Sequence, residues 1–354
     1  MKNKIKVLII DDSALIRQTL TKVLSSDEKI EVIGVAADPY IAVNKLKTEK
    51  PDVITLDIQM PKMDGLTFLK KLMSQHPIPV IIISSLTAKD SKIALTAYNL
   101  GAIDVIQKPV MSSDLLHNEW KEKLFNSVLA ASESKVNQRV LKSIVTSPKP
   151  IVKNTSKVDK KEICNSFILI GSSAGGTEVI NSIVSNLDTN TAPILIVQHM
   201  PIQFTGSYAA RLNDNSSLSI KEAARGDELY RGLALVAPGD KHMELKNNGF
   251  NFFIELNSND KVNRHRPSAD VLFKSALSFP GVKILSIILS GMGKDGTAGM
   301  MKLKDAGAIT VAQSEQSCIV YGMPKEAFES GAASYSLDII EIVDTIKEFS
   351  KRNR

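Results

Sequence analysis

A serine, a histidine and an aspartate each stand just beyond a short apolar run in this chain. Ser173 lies in Gly171-Ser172-Ser173-Ala174-Gly175-Gly176 after the run Phe167 to Ile170. His199 lies in Gln198-His199-Met200-Pro201 after Ile194 to Val197. Asp295 lies in Gly291-Met292-Gly293-Lys294-Asp295-Gly296 after Ile284 to Leu289. In an open parallel sheet, ligands bind outside the carboxyl ends of the strands, so residues separated by 26 and 96 positions can converge there. Converged, they form the nucleophile, base and orienting acid of acyl transfer. The first phrase also satisfies G-x-S-x-G, whose glycines permit a tight strand-to-helix bend. Thr177-Glu178 then opens the helical pattern Val179 to Leu187, and its amino end would sit beside a developing oxyanion. Each residue has a plainer alternative. Such a turn can cradle a phosphate or dinucleotide, although G-x-G-x-x-G is absent; a lone histidine is more often packed; an aspartate between glycines is usually a turn former. The order Ser, His, Asp differs from the Ser, Asp, His order of α/β-hydrolases, which argues against an ordinary lipase or esterase.

A second set of reactive residues precedes this one. Residues 1 to about 130 alternate short β-branched runs with amphipathic helical patterns, the layout of a doubly wound parallel sheet. The expected strands are Lys6 to Ile10, Glu31 to Ala36, Val53 to Asp57, Val80 to Ile83 and Asp104 to Ile106. At their carboxyl ends stand Asp11, Asp12, Asp57, Ser84 and Lys108. Three neighbouring carboxylates repel one another unless a hard cation neutralises them, and Mg²⁺ is the natural occupant. Taken singly, Asp11-Asp12-Ser13 reads as a helix cap and Lys108-Pro109 as a turn. Structural needs alone do not call for the whole set.

A chain of 354 residues is long enough for two domains. With 43% hydrophobic and 23% charged residues it is an ordinary globular composition. The net charge of +6 would suggest nucleic acid were it spread over a folded face. Instead, the stretch from Glu133 to Ile163 holds eight Lys or Arg against three acids, so it carries five of those charges. It also contains Ser147-Pro148-Lys149-Pro150 and no sustained apolar period, and it reads as a flexible basic linker, residues 131–163. The domains are then 1–130 and 164–354, and no nucleic-acid partner is expected. No apolar stretch approaches the ~20 residues of a membrane span, and the run Val7 to Ile10 ends at Asp11-Asp12, so neither membrane insertion nor a signal peptide is expected. Cys164 and Cys318 lack paired spacing, which fits a cytoplasmic setting.

Residues 4 to 125 resemble the response-regulator receiver family, with a flavodoxin-like five-stranded parallel sheet. By that resemblance Asp57 accepts a phosphoryl group, Asp12 binds Mg²⁺, Asp11 acts largely through water, and Gln59 offers its backbone carbonyl. Lys108 pairs with the acyl phosphate, and Ser84 is the hydroxyl switch. Val105 stands where many receivers carry an aromatic switch residue, which counts against a rotating-ring mechanism here. Nearly the whole chain resembles the chemotaxis protein-glutamate methylesterases, the CheB family, whose catalytic half is a doubly wound α/β domain with a mostly parallel sheet. Val197-Gln198-His199-Met200-Pro201 with Phe204-Thr205 carries the resemblance, as do Ala237-Pro238-Gly239-Asp240-Lys241-His242-Met243, His265-Arg266-Pro267-Ser268-Ala269-Asp270 and Tyr321-Gly322-Met323-Pro324. It implies Ser173 as nucleophile, His199 as base, Asp295 as the orienting acid and the backbone amide of Met292 as oxyanion donor. No cofactor is expected in the esterase site. The implied activity is phosphorylation-activated hydrolysis of glutamate methyl esters on chemoreceptors, releasing methanol, with deamidation of receptor glutamines by the same chemistry. The implied partners are methylated chemoreceptors and a chemotaxis histidine kinase as phosphodonor. The rival reading is a response regulator with a non-catalytic binding output domain.

Some details are expectations of their own. Ala174 departs from members with threonine beside the serine, leaving Ser172 as the hydroxyl on that turn. Leu233 to Leu256 reads as two strands around Asn247-Asn248-Gly249, a hairpin signal. His242 and His265 are assigned to loop hydrogen bonding, and Arg266 is open between holding an acidic substrate segment and a structural ion pair.

Overall fold

The computed structural model describes residues 4–85, 91–108, 114–134 and 164–353, and it divides into two compact units, Met1–Leu141 and Lys142–Arg354. The boundary expected at 130 falls inside a helix that continues to Ser132. Residues 135–163 of the expected linker lie outside the described residues. Among the described residues no helix is long and apolar enough to cross a membrane.

In the first unit, β1 (Ile5–Ile10), β2 (Ile30–Ala36), β3 (Val53–Leu56), β4 (Val80–Ser84) and β5 (Asp104–Gln107) form a parallel sheet in the order β2-β1-β3-β4-β5. The helices are α1 (Ala14–Leu24), α2 (Pro39–Leu46), α3 (Gly65–Gln75), α4 (Ser91–Asn99) and α5 (Asp114–Ser132). The central strands read as nearly continuous apolar runs because helices cover both faces: with Thr55 buried between them, Val53, Ile54 and Leu56 are wholly buried apolar residues. Each such side chain stabilises the fold by roughly 1.5–3 kcal/mol. Starts of helices are fixed by side-chain caps, Ser13 on Ile16 N–H, Asp38 on Ile41 N–H and Asp64 on Thr67 N–H. The apolar runs therefore end where polar capping residues begin, and the loops carrying Asp11, Asp12 and Asp57 emerge at one sheet edge.

The second unit contains β6 (Ser166–Ser172), α6 (Gly176–Ser185), β7 (Ile194–Gln198), α7 (Ile202–Asp214), β8 (Ser219–Glu222), β9 (Leu233–Val236), β10 (His242–Asn247) and β11 (Phe252–Asn257). It continues with α8 (Ala269–Ala276), β12 (Lys283–Ile288), α9 (Thr297–Asp305), β13 (Ile309–Gln313), α10 (Met323–Glu329), β14 (Tyr335–Leu337) and α11 (Ile339–Arg352). Seven strands form one parallel sheet, β14-β13-β12-β6-β7-β9-β8. The expectation of two strands between Leu233 and Leu256 is corrected to three. Leu233–Val236 is β9 of the large sheet, and the hairpin is β10 with β11 alone. Ala237-Pro238-Gly239 interrupts the run between them. The hairpin packs by edge-to-face rings, Phe252 against Phe167 at 4.9 Å, and by Leu245 N–H donating to Ser275 Oγ of α8 at 2.9 Å.

Candidate active site

Strands β12, β6 and β7 are neighbours, so the loops after them bring Asp295, Ser173 and His199 to one sheet edge. The chain winds from β6 through β7 and β9 on one side and returns through β12 on the other. The crevice beside β6 is thus a topological switch point, where ligands bind in such sheets. Backbone hydrogen bonds lace the loops together. Ser173 N–H donates to the Ser290 carbonyl at 3.0 Å, His199 N–H to Ser172 at 3.0 Å, and Leu289 N–H to Gly171 at 2.9 Å. Close approach explains Gly291, where a Cβ would lie 2.8 Å from Ser173 Cβ. That glycine lets the Met292 backbone run against the serine turn. Its carbonyl accepts from Gly322 and Met323 N–H at 3.1 and 2.7 Å, which holds the strand end in place.

His199 is nearly buried, and its Nε2 lies 2.9 Å from Asp295 Oδ2. The carboxylate requires a proton on Nε2, which leaves the lone pair on Nδ1. Nδ1 is buried and has no hydrogen-bond partner. Asp295 gathers further donors. Oδ2 accepts from Ala269 N–H at 2.7 Å, while Oδ1 accepts from Ser268 Oγ at 2.6 Å, Asn263 Nδ2 at 2.9 Å and Asp270 N–H at 3.3 Å. Two of these are orphan amides at the start of α8, where the helix end favours a negative charge. Burial alone would raise the Asp295 carboxyl, but His199, Ser268 and Asn263 outweigh it and hold the group well below the ordinary carboxylate range.

Several of these groups were not singled out from the sequence. Asn263 and Ser268 reach Asp295 from the turn before α8, and Gln198 Nε2 donates to the carbonyls of Ser173 at 2.8 Å and His199 at 3.3 Å. His265, assigned to loop hydrogen bonding, exchanges backbone hydrogen bonds with Val262 and in addition stacks on His199, with centroids 3.8 Å and planes 11° apart. His242 does pair with a loop carbonyl, that of Asp260, at 3.0 Å. Ser172 is corrected too: its hydroxyl is wholly buried and donates to Ser290 O at 3.1 Å, so it is spent on joining two strand ends. Arg266 resolves to the structural role. Its Nε and Nη2 donate to Asp240 Oδ1 at 2.9 and 2.7 Å, and Nη1 to the carbonyls of Ser258 and Asn259 at 2.7 and 2.9 Å.

The first unit gathers a separate polar cluster. One oxygen from each of Asp11, Asp12 and Asp57 lies within 4.8 Å of the others. Lys108 Nζ stands 2.9 Å from Asp57 Oδ2 and 2.8 Å from Asp11 Oδ2. Lys108 is thus shared between two buried carboxylates, and one ammonium faces both. Arg17 Nη1 steadies the acidic loop by donating to the Asp11 and Asp12 carbonyls at 2.7 and 2.9 Å. Burial pushes the Asp57 carboxyl up, Lys108 opposes this, and Asp11 adds to the rise. Burial works against the Lys108 ammonium, but Asp11 and Asp57 overcome it and raise the group. Hard oxygens and the mutual repulsion of three carboxylates that a single ammonium cannot offset fit a small divalent cation. Ser84 is buried at the end of β4, its carbonyl accepting Lys108 N–H at 2.8 Å, and Gln59 is exposed in the loop after β3. Val105 is a wholly buried strand residue.

Two family models match the chain: the CheB methylesterase over residues 168–346 and the response regulator receiver domain over residues 7–118. A Geobacter metallireducens protein-glutamate methylesterase/protein-glutamine glutaminase is 44% identical over 348 residues, 97% of both chains. One from Leptospira interrogans is 44% identical over 349 residues, covering 98% of this chain and all of that one. Among solved structures, the Thermotoga maritima CheB methylesterase catalytic domain matches with a TM-score of 0.50 and 39% identity, covering 53% of this chain and 98% of that one.

Proposed function

The chain belongs to the CheB methylesterase family and carries a response regulator receiver domain, and from that premise we propose how its residues divide the work. The enzyme hydrolyses glutamate methyl esters on chemoreceptors, releasing methanol, and deamidates receptor glutamines, with phosphorylation of the receiver raising the activity. The single observation that carries the assignment is the His199–Asp295 pair. It leaves a buried, unpartnered Nδ1 at the sheet edge that bears Ser173.

Ser173 is the nucleophile. His199 Nδ1 removes the hydroxyl proton as Ser173 Oγ bonds to the ester carbon, and the carbonyl electrons move onto oxygen. The backbone N–H of Met292 stabilises that oxyanion. The imidazolium, bonded through Nε2–H to Asp295, then returns its proton to the departing methoxide, giving methanol. Water repeats the sequence on the acyl-serine and releases the glutamate carboxylate. A glutamine side chain follows the same path with ammonia leaving.

In the receiver, Asp57 accepts the phosphoryl group from a chemotaxis histidine kinase. Asp12, Asp57 and the Gln59 carbonyl would hold Mg²⁺, with Asp11 acting largely through water, and the ion would supply charge neutralisation for the phosphoryl group. Lys108 pairs with the phosphorylated Asp57, and Ser84 is the switch hydroxyl. Residues 1–130 and 164–354 act as receiver and esterase in the cytoplasm, joined by a basic linker. Methanol release from methylated receptor membranes tests the assignment. Ser173→Ala, folded as judged by its thermal transition, should lose on the order of 10⁶ in turnover. Near-normal release would remove Ser173 from the mechanism.

A further inference from the structure

The turn before α8 touches both His199 and Asp295 while supplying neither. His265 covers a face of the His199 ring, with centroids 3.8 Å and planes 11° apart. Asn263 Nδ2 reaches Asp295 Oδ1 at 2.9 Å and Asp270 Oδ2 at 2.8 Å. This turn is a firm support. Val262 and His265 exchange backbone hydrogen bonds of 3.1 and 2.9 Å, and Arg266 is anchored on Asp240, Ser258 and Asn259.

An imidazole bonded at one nitrogen can still pivot about that contact. Nε2 is fixed on Asp295, whereas Nδ1 has no hydrogen bond to fix the other side of the ring. His265, packed on the ring face, is placed to restrict that pivot. We propose that His265 is a positioning residue for ester hydrolysis, holding the His199 ring so that Nδ1 is aimed at Ser173 Oγ. The proposal rests on the assignment of Ser173, His199 and Asp295 made above. The alignment acts when Nδ1 takes the serine proton, a step that follows substrate binding. An interaction stronger in the transition state than in the resting enzyme appears in kcat rather than KM.

The test uses the full chain with His265→Ala and His265→Phe, the second retaining a flat ring. Methanol release from methylated receptor membranes gives kcat and KM. The rate at which an organophosphorus serine reagent labels Ser173 gives a readout that needs no receptor. For His265→Ala, kcat should fall roughly 10- to 100-fold with KM unchanged, since small misplacements of a reacting group cost up to about that much. Labelling should slow in parallel. His265→Phe should return kcat to within about five-fold of wild type. Should the alanine variant not fold, His265→Gln, which keeps bulk without a ring, should show the same fall. An alanine or glutamine variant within two-fold of wild type overturns the proposal, as does a loss confined to KM or one that phenylalanine does not restore. A wild-type chain that neither releases methanol nor labels at Ser173 overturns the triad assignment and this proposal with it.

Discussion

Asp295 accepts five hydrogen bonds, from His199, Asn263, Ser268 and the amides of Ala269 and Asp270. A neutral amide cannot replace it well, because its NH₂ would face one or more of those donors. Asp295→Asn should leave KM nearly unchanged and lower kcat by up to ~10⁴-fold, since His199 loses the acceptor that fixes its tautomer. Stability offers a second check. The folded carboxyl lies well below the ordinary range, and the unfolded one titrates near 3.9. Its stabilising contribution is therefore fully present above that pH and is lost as pH falls through the folded-state value. The difference in unfolding free energy between wild type and Asp295→Asn should narrow below about pH 4. A difference that stays constant from about pH 7 to pH 3 would mean that these donors do not hold the charge in this way.

At the scale of elements, the site depends on how closely β6 and α8 pack. A Cβ on Gly171 would lie 2.7 Å from Ala269 Cβ, and Ala269 N–H is one of the donors to Asp295. Gly171→Ala should destabilise the esterase unit by about 1–3 kcal/mol through overpacking, and pushing α8 away should lower activity. Ala269→Gly alone should cost no more than ~1 kcal/mol. The double variant should recover most of the Gly171→Ala loss, and strictly additive effects would deny the contact. The same scale explains what could be read from the chain. Strands β1, β3, β4, β6 and β12 are legible because their β-branched runs stop at Asp, Ser or Gly phrases, and β7 because its run stops at Gln198-His199; Ser173, His199 and Asp295 are legible because each follows such a run. β8 was not read, since Ser219–Glu222 is four residues with one buried side chain, Ile220, at the sheet edge. The turn that carries Asn263 and His265 entered only through the phrase His265 to Asp270, which says nothing of its contact with His199. Asn263 and Arg264 adopt φ of 51° and 68°; asparagine takes that geometry readily, whereas for Arg264 tertiary contacts must select it. Which ring nitrogen of His199 meets Asp295 is likewise a property of the assembled loops.

At the scale of the whole molecule, each unit has its own sheet and its own reactive cluster, so coupling between them is a separate physical question from either chemistry. Phosphorylation of Asp57 would replace a carboxylate by an acyl phosphate of roughly one and a half to two negative charges, a net gain of about one-half to one charge beside Lys108 and Asp11, and new phosphoryl oxygens at that edge would favour a different arrangement of its loops. We predict that the unphosphorylated receiver restrains the esterase and that this rearrangement relieves it. A fragment beginning near Lys161 should then release methanol faster than the unphosphorylated full chain at matched concentration. The Thermotoga maritima catalytic domain, which spans 53% of this chain, shows that a relative's esterase unit can stand alone. A small phosphodonor should raise the activity of the full chain, leave the fragment unchanged, and have no effect on Asp57→Asn, which should remain slow. Phosphorylated full chain faster than the fragment would add a positive contribution to the relief of restraint, because removing an obstacle can at most restore the fragment's rate. Equal rates for the fragment and the unphosphorylated chain across substrate concentrations would rule out restraint, and a phosphodonor response in Asp57→Asn would mean that the acceptor lies elsewhere.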